Sequence, residues 1–198
     1  MKEKIISTAT NMFLKLGFKS VTMDDIACEM CISKKTIYKF FDNKELLIEE
    51  TTSMFHYQIH EIINEIVLKN YNAIEENFEI RKMFKDMFKS ADNSPVYQLK
   101  KHYPSIYETI INREIEECDT VFKQNIIKGI KQGLYREGIN IDSIAKFHYT
   151  LIFGIKGIII SEKEAQKLEL EILEYHTRAI ATEFGVKELE KQLMNLEK

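Results

Sequence analysis

Residues 22–44 read TMDDIACEMCISKKTIYKFFDNK, and this stretch decides the fold. Thr22 is a good N-cap, with Asp24 and Asp25 in the first turn against the positive end of the helix dipole. A short helix over 23–30 follows, with Ile26, Ala27 and Met30 as its apolar side. Cys31-Ile32 makes a tight connection, and Ser33 caps a second short helix reaching about residue 41. Within 33–44, four Lys stand against one Asp. Ile37, Phe40 and Phe41 are read as core-facing, which leaves Lys34, Lys35, Thr36, Tyr38 and Lys39 outward. A helix-turn-helix needs this arrangement: a second helix narrow enough for the major groove, its first side chains at base edges, and cations nearby for phosphates.

On the N-terminal side, Ile5, Ala9, Met12, Phe13 and Leu16 share one helical face, and Gly17 stops that helix. On the C-terminal side, Asp42 or Asn43 caps a long fourth helix carrying Leu47, Met54, Phe55, Ile59, Ile62, Ile63 and Ile66 to about residue 70. The expected division places a helix-turn-helix domain at 1–48 and a larger helical domain at 49–198. In the larger part, helical segments are predicted over 74–90, from Pro104 to about 132, over 142–160 and over 163–184, the last ending at Gly185. A loop at 92–95 precedes a helix start, and residues 186–198 form a short terminal helix or fray. No strand pattern, repeat or low-complexity segment is evident, so the fold class is all-α.

Composition agrees. The 198 residues include only 7 Gly and 2 Pro, too few for a turn-rich sandwich or barrel, and 44% hydrophobic with 30% charged residues excludes a disordered chain. Net charge is −3, unevenly divided: residues 1–44 hold 8 Lys against 5 acidic residues, while 45–198 hold 20 basic against 26 acidic. Any polyanion is therefore expected at the head. Three cysteines make no disulfide framework and fit a reducing, cytoplasmic setting. The most apolar run, 151–160, holds Lys156 and is too short to span a bilayer, so no membrane partner is expected. No paired catalytic carboxylates, nucleophile elbow or phosphate loop appears, so the chain is not read as an enzyme. Cys28-x-x-Cys31 lacks the second pair that zinc needs, and His56 and His60, four apart, are half of a metal site with no third ligand apparent. No metal or cofactor is expected.

The head resembles the DNA-binding domain of the TetR/AcrR family of transcriptional repressors. Phe13, Leu16-Gly17-Phe18 and Val21 through Ala27 are similar to the family's first two helices. Ile32 through Phe41 and Asn43-Lys44-Glu45-Leu46-Leu47 are similar to its recognition helix and the start of helix four. The resemblance covers about residues 3–50. It implies that Lys34, Lys35, Thr36 and Lys39 meet base edges and nearby phosphates, and that Tyr38 touches a phosphate or thymine methyl. Thr22 and Ser33 would cap helices and bind phosphates, and Lys44 would clamp another. Cys31 stands where the family often has Gly, a position strained for other residues if the turn needs positive φ.

By the same resemblance the rest of the chain is a dimerisation and effector-binding domain. An apolar ligand pocket is expected among Phe78, Met83, Met87, Tyr103, Tyr107, Phe122 and Phe147. A homodimer interface is expected from the last two long helices at Ile144, Leu151, Ile155, Ile158, Leu168, Ile172, Tyr175 and Ala179, with Ala145, Gly154 and Gly157 permitting close approach. The function implied is a ligand-responsive repressor that binds a palindromic DNA operator as a dimer and is released by a small apolar or amphipathic effector. A redox-sensing regulator working through Cys28 and Cys31, and a non-specific architectural DNA-binding protein, are the alternatives.

Overall fold

The computed structural model describes residues 1–89, 91, 94–159 and 161–196, and ten helices run through them with no strand among the described residues. The head contains α1 (Lys2–Leu16), α2 (Met23–Glu29), α3 (Lys34–Tyr38) and the start of α4 (Lys44–Val67). The body adds α5 (Ala73–Phe88), α6 (Pro95–His102), α7 (Pro104–Lys131), α8 (Ile141–Lys156), α9 (Glu162–Ile180) and α10 (Glu183–Leu196). No described helix is long and apolar enough to cross a membrane.

Caps set most of the starts. Thr22 and Asp25 form a reciprocal capping box on α2, and Asn72 with Glu75 does the same on α5. Asn43 accepts from the Leu46 amide at 2.8 Å and starts α4; Asn140 and Ser161 start α8 and α9 in the same way. Proline occupies the first turn of α6 and of α7, where its missing N–H is no loss.

Two apolar cores result. The first joins Ile5, Phe13, Phe18, Ile26, Ile37, Phe41 and Leu47 of the head, and it also takes in Leu99 of α6 and Ile106 of α7. The second gathers Ile74, Phe78, Ile126, Tyr135, Leu173, Ile180 and Leu189 of the body. Helix α4 passes residue 48 without a break, so the head continues into the body as one rod.

Several boundaries differ from the sequence reading. Helix α3 stops at Tyr38, three residues early, because the amides of Phe40 and Phe41 both bond back to the Ile37 carbonyl in a tight turn. That turn swings Phe41 into the core and leaves Phe40 40% exposed, so Phe40 is not a core residue. Helix α8 ends at Lys156 rather than near 160, and Ile160 lies outside the described residues, as do Ser90, Asp92 and Asn93. The segment 163–184 is not one helix ending at Gly185. It breaks at Ala181, which turns extended and bridges to Tyr135, and Gly185 lies inside α10. A Cβ at Gly185 would collide with the Leu134 carbonyl, so the glycine permits this close crossing.

Candidate functional site

Helix α3 is too short to be stable alone and is held by its cap and by one fully buried side chain, Ile37. Ser33 accepts from the Thr36 amide at 3.2 Å, and the two hydroxyls lie 2.8 Å apart. With Ile37 inward, Lys34, Lys35, Tyr38 and Lys39 project to solvent, and Thr36 is half-buried. Lys34 is engaged: its ammonium lies 2.7 Å from Asp24 Oδ1, an exposed pair that raises the lysine's pKa and that a phosphate could displace. The Thr22 hydroxyl donates to Asp25 at 2.7 Å, and this bond holds the Asp25 carboxyl below its ordinary value.

Lys44 sits at the joint between head and body. Its ammonium donates to the Lys19 carbonyl at 3.2 Å and lies over the rings of Phe13 and Tyr103. The Phe18 amide donates to Gln98 Oε1 at 3.0 Å, and the Tyr103 hydroxyl donates to the Phe18 carbonyl at 3.4 Å. Gly17, at φ 92°, makes room for that Gln98 side chain, which a Cβ would strike. The turn after α2 places Cys31 at φ 53°. Cys28 and Cys31 are both free and exposed.

Behind the head lies a cavity of about 210 Å³, walled by α4 to α9 and closed on the head side by Leu14 and Phe18. Most of the wall is apolar: Phe55, Ile59, Ile63, Phe84, Phe88, Ile110, Phe122, Ile152 and Phe153. One end is charged. Lys156, taken from sequence only as an interruption in an apolar run, pairs with Glu169 at 2.9 Å and lies 4.8 Å from the Phe84 ring centroid. Burial pushes Lys156 down, but Glu169 outweighs it and leaves the pKa above the ordinary value. Arg81 Nη2 donates to the Gln166 carbonyl, while its buried Nε has no partner. His148 packs on Phe122 and on His176, and burial of both rings lowers their pKa values, that of His176 to about 4.

Of the seven pocket residues expected from sequence, Phe122 lines this cavity. Phe78 belongs to the second core, Tyr103 and Tyr107 pack against the first, and Met83 and Met87 are half-buried on α5 outside the cavity wall. Phe147 is 61% exposed on α8. There it joins Leu151 and Tyr175, both exposed, on an apolar face of α8 and α9, and Ile158, just past the end of α8, is exposed as well. Ala179 is exposed on the same pair of helices, Ile144, Ile155 and Leu168 are half-buried, and Ile172 is buried within the protomer. Ala145 and Gly157 are buried too; of the three small residues, Gly154 is the open one. The missed polar residues had a faint signal: a lone Lys within an apolar run, and the single Arg of α5.

Residues 5–51 match the sequence profile described as bacterial regulatory proteins, tetR family. Over 194 residues the chain is 27% identical to the biofilm operon icaADBC HTH-type negative transcriptional regulator IcaR of Staphylococcus aureus, covering 96% of this chain and 91% of that protein. Among solved structures, a TetR-family transcriptional regulator from Agrobacterium tumefaciens superposes with a TM-score of 0.72 at 14% identity, covering 91% of this chain and 97% of that one. A gamma-butyrolactone receptor (ArpA-like protein) superposes with a TM-score of 0.70 at 15% identity, covering 98% and 94%. A matching tetR-family DNA-binding head, a negative transcriptional regulator similar along nearly its whole length and the same helical architecture together support a regulator of the TetR type.

Proposed function

We propose that this protein is a ligand-responsive repressor that binds a palindromic operator as a homodimer and releases it when a small apolar or amphipathic molecule occupies the cavity. The observation that carries this reading is a shared wall: Phe18 and Leu99 belong both to the head's core and to the cavity lining. A molecule that reshapes the cavity therefore acts on the packing that aims α3. An effector that prefers a conformation with wrongly spaced heads weakens DNA binding by the same factor by which DNA weakens the effector.

In this reading Lys34, Lys35, Thr36 and Lys39 meet base edges and adjacent phosphates, Tyr38 meets a phosphate or a thymine methyl, and Thr22, Ser33 and Lys44 hold phosphates. The exposed face with Phe147, Leu151 and Tyr175 supports a two-fold interface that sets the heads about 34–36 Å apart, or a multiple of that. We keep the division near residue 48 as a working boundary inside α4.

Selection of bound sequences from random DNA by the purified chain tests the reading. A recovered palindrome, with Leu151→Glu giving a monomer that no longer binds it, is the expected result. No preference over random DNA in any ligand state would overturn it.

A further inference from the structure

Facing α7, helix α4 carries His56 and His60 one turn apart; facing α4, helix α7 carries Glu114 and Glu117. The four side chains meet at the cavity wall, which His56, His60 and Glu114 line. His56 Nδ1 contacts Glu114 Oε1 closely, and its Nε2 lies 3.1 Å from Glu117 Oε1. His60 Nε2 lies 3.3 Å from Glu117 Oε2 and 3.5 Å from Glu114 Oε2. The two rings are 4.4 Å apart.

The hydrogen-bond accounting does not close with the neutral groups alone. A neutral imidazole has one N–H and one lone pair, yet both nitrogens of His56 face carboxylate oxygens, which when ionised only accept. His60 Nε2 is buried and makes no well-aligned hydrogen bond to either glutamate. A cation among these groups turns both misfits into bonds. Each of His56, His60 and Glu114 offers a ligand atom, and these atoms lie within 4.8 Å of one another. A tetrahedral zinc site needs ligand atoms about 3.3 Å apart, a contraction that side-chain torsions supply. The donor set, two imidazoles with carboxylate oxygen, suits zinc and its neighbours rather than calcium or magnesium, which take oxygen alone.

We propose that His56, His60 and Glu114, with Glu117 at the open edge, bind one divalent transition-metal ion of the zinc class and thereby tie α4 to α7. Glu117, the most exposed of the four at 44%, marks the entry side. The alternative filling is protons, which would let both nitrogens of His56 donate to the two glutamates. Because α4 begins at the Asn43 cap and runs to this cluster, an ion here fixes the rod that carries the head.

The test is calorimetric titration of Zn2+ into untagged, chelator-treated chain in a Cys28→Ser, Cys31→Ser background, which removes the exposed thiols as competing ligands. It needs no DNA, so its outcome is separate from that of the repressor reading. The expected result is one ion per chain, with a Zn2+-dependent rise in melting temperature, and visible absorption bands of a tetrahedral site when Co2+ is used. His60→Gln and Glu114→Gln each weaken binding at least about tenfold and Glu117→Gln weakens it less. Circular dichroism of the metal-free variants checks that they fold; if a single variant does not, the competition between Zn2+ and protons on the parent chain still decides, with affinity falling as pH drops. Absence of saturable binding at one ion per chain, or binding unaltered in His56→Gln/His60→Gln, would overturn the proposal.

Discussion

The head and the body are buried by different chemistry. In the head, the buried polar side chain of Thr10 donates to the Ile6 carbonyl of its own helix at 2.8 Å, and the core is otherwise apolar. The body buries Glu76, Asn77, Asn125, His148, Glu169 and His176. Some of these close into a network: Asn125 donates to Glu76 at 2.6 Å, Lys128 pairs with Glu76 at 2.6 Å, and Asn77 donates to Asn125 at 3.0 Å. Others stay unpaired around the cavity, among them His148 Nδ1 and Arg81 Nε. The head is packed to hold one shape; the body keeps polar groups whose arrangement a ligand or a pH change can alter.

The sharpest test of that contrast is a cavity in each part. Phe13→Ala in the head removes a ring that is 1% exposed and stacked on Phe18 at 5.2 Å, and should cost about 3–5 kcal/mol in chemical denaturation. Phe122→Ala enlarges a space that already exists, so it should cost clearly less. Equal losses would show that the cavity is filled and rigid rather than open.

The second test is pH. Burial depresses His148 and His176, the latter to about 4, so both rings stay neutral in the folded chain while the unfolded chain protonates them below about 6.5. Folding stability is then undiminished by this pair above pH 6.5 and falls as the pH drops toward 4. His176 alone contributes a loss of about 3 kcal/mol at the lower end. His176→Gln should flatten this part of the stability profile relative to the parent chain; an unchanged slope would place the titrating groups elsewhere.

A third, smaller effect concerns the joint. Lys44→Ala should weaken operator binding about equally for all sequences and reduce the slope of log affinity against log salt by about one. Tyr103→Phe removes the hydroxyl that meets the Phe18 carbonyl but keeps the ring under Lys44. It should leave the salt slope alone and change the coupling between effector and DNA. If both variants behave alike, Lys44 acts as part of the joint and not through a phosphate.

This contrast also explains what was legible in the sequence. The head's helices are short and capped, and its apolar residues fall at regular spacing, so Thr22, Ser33, Asn43, Ile37 and Phe41 could be placed from local rules. Phe40 could not, because the turn that ejects it depends on two amides sharing the Ile37 carbonyl. In the body, residues of the cavity come from six helices, α4 to α9, spread along the chain, and aromatic content alone does not tell a cavity wall from a core. Hence Phe78 and Tyr107 were expected in the pocket, while Lys156, Arg81 and Glu169 went unassigned. The His56–His60 pair gained its acidic partners only once α7 was laid against α4.

The smallest effect sits in the head's own turn and runs against the idea that this region is optimised throughout. Cys31 has φ 53°, a left-handed conformation in which a Cβ crowds the following carbonyl at about 1–2 kcal/mol. The Cys31 amide still bonds the Cys28 carbonyl at 3.0 Å, and that of Ile32 the Ala27 carbonyl at 3.0 Å, so the turn is fully formed despite the strain. The exposed thiol fills no core space that could offset it. Cys31→Gly relieves the crowding, but it also frees the unfolded chain, which returns part of the gain. A net stabilisation of about 1 kcal/mol follows, or about 2–4 °C in melting temperature. A loss of stability instead would mean that the thiol makes a compensating contact, and would point to Cys31 as a selected residue of the reading head.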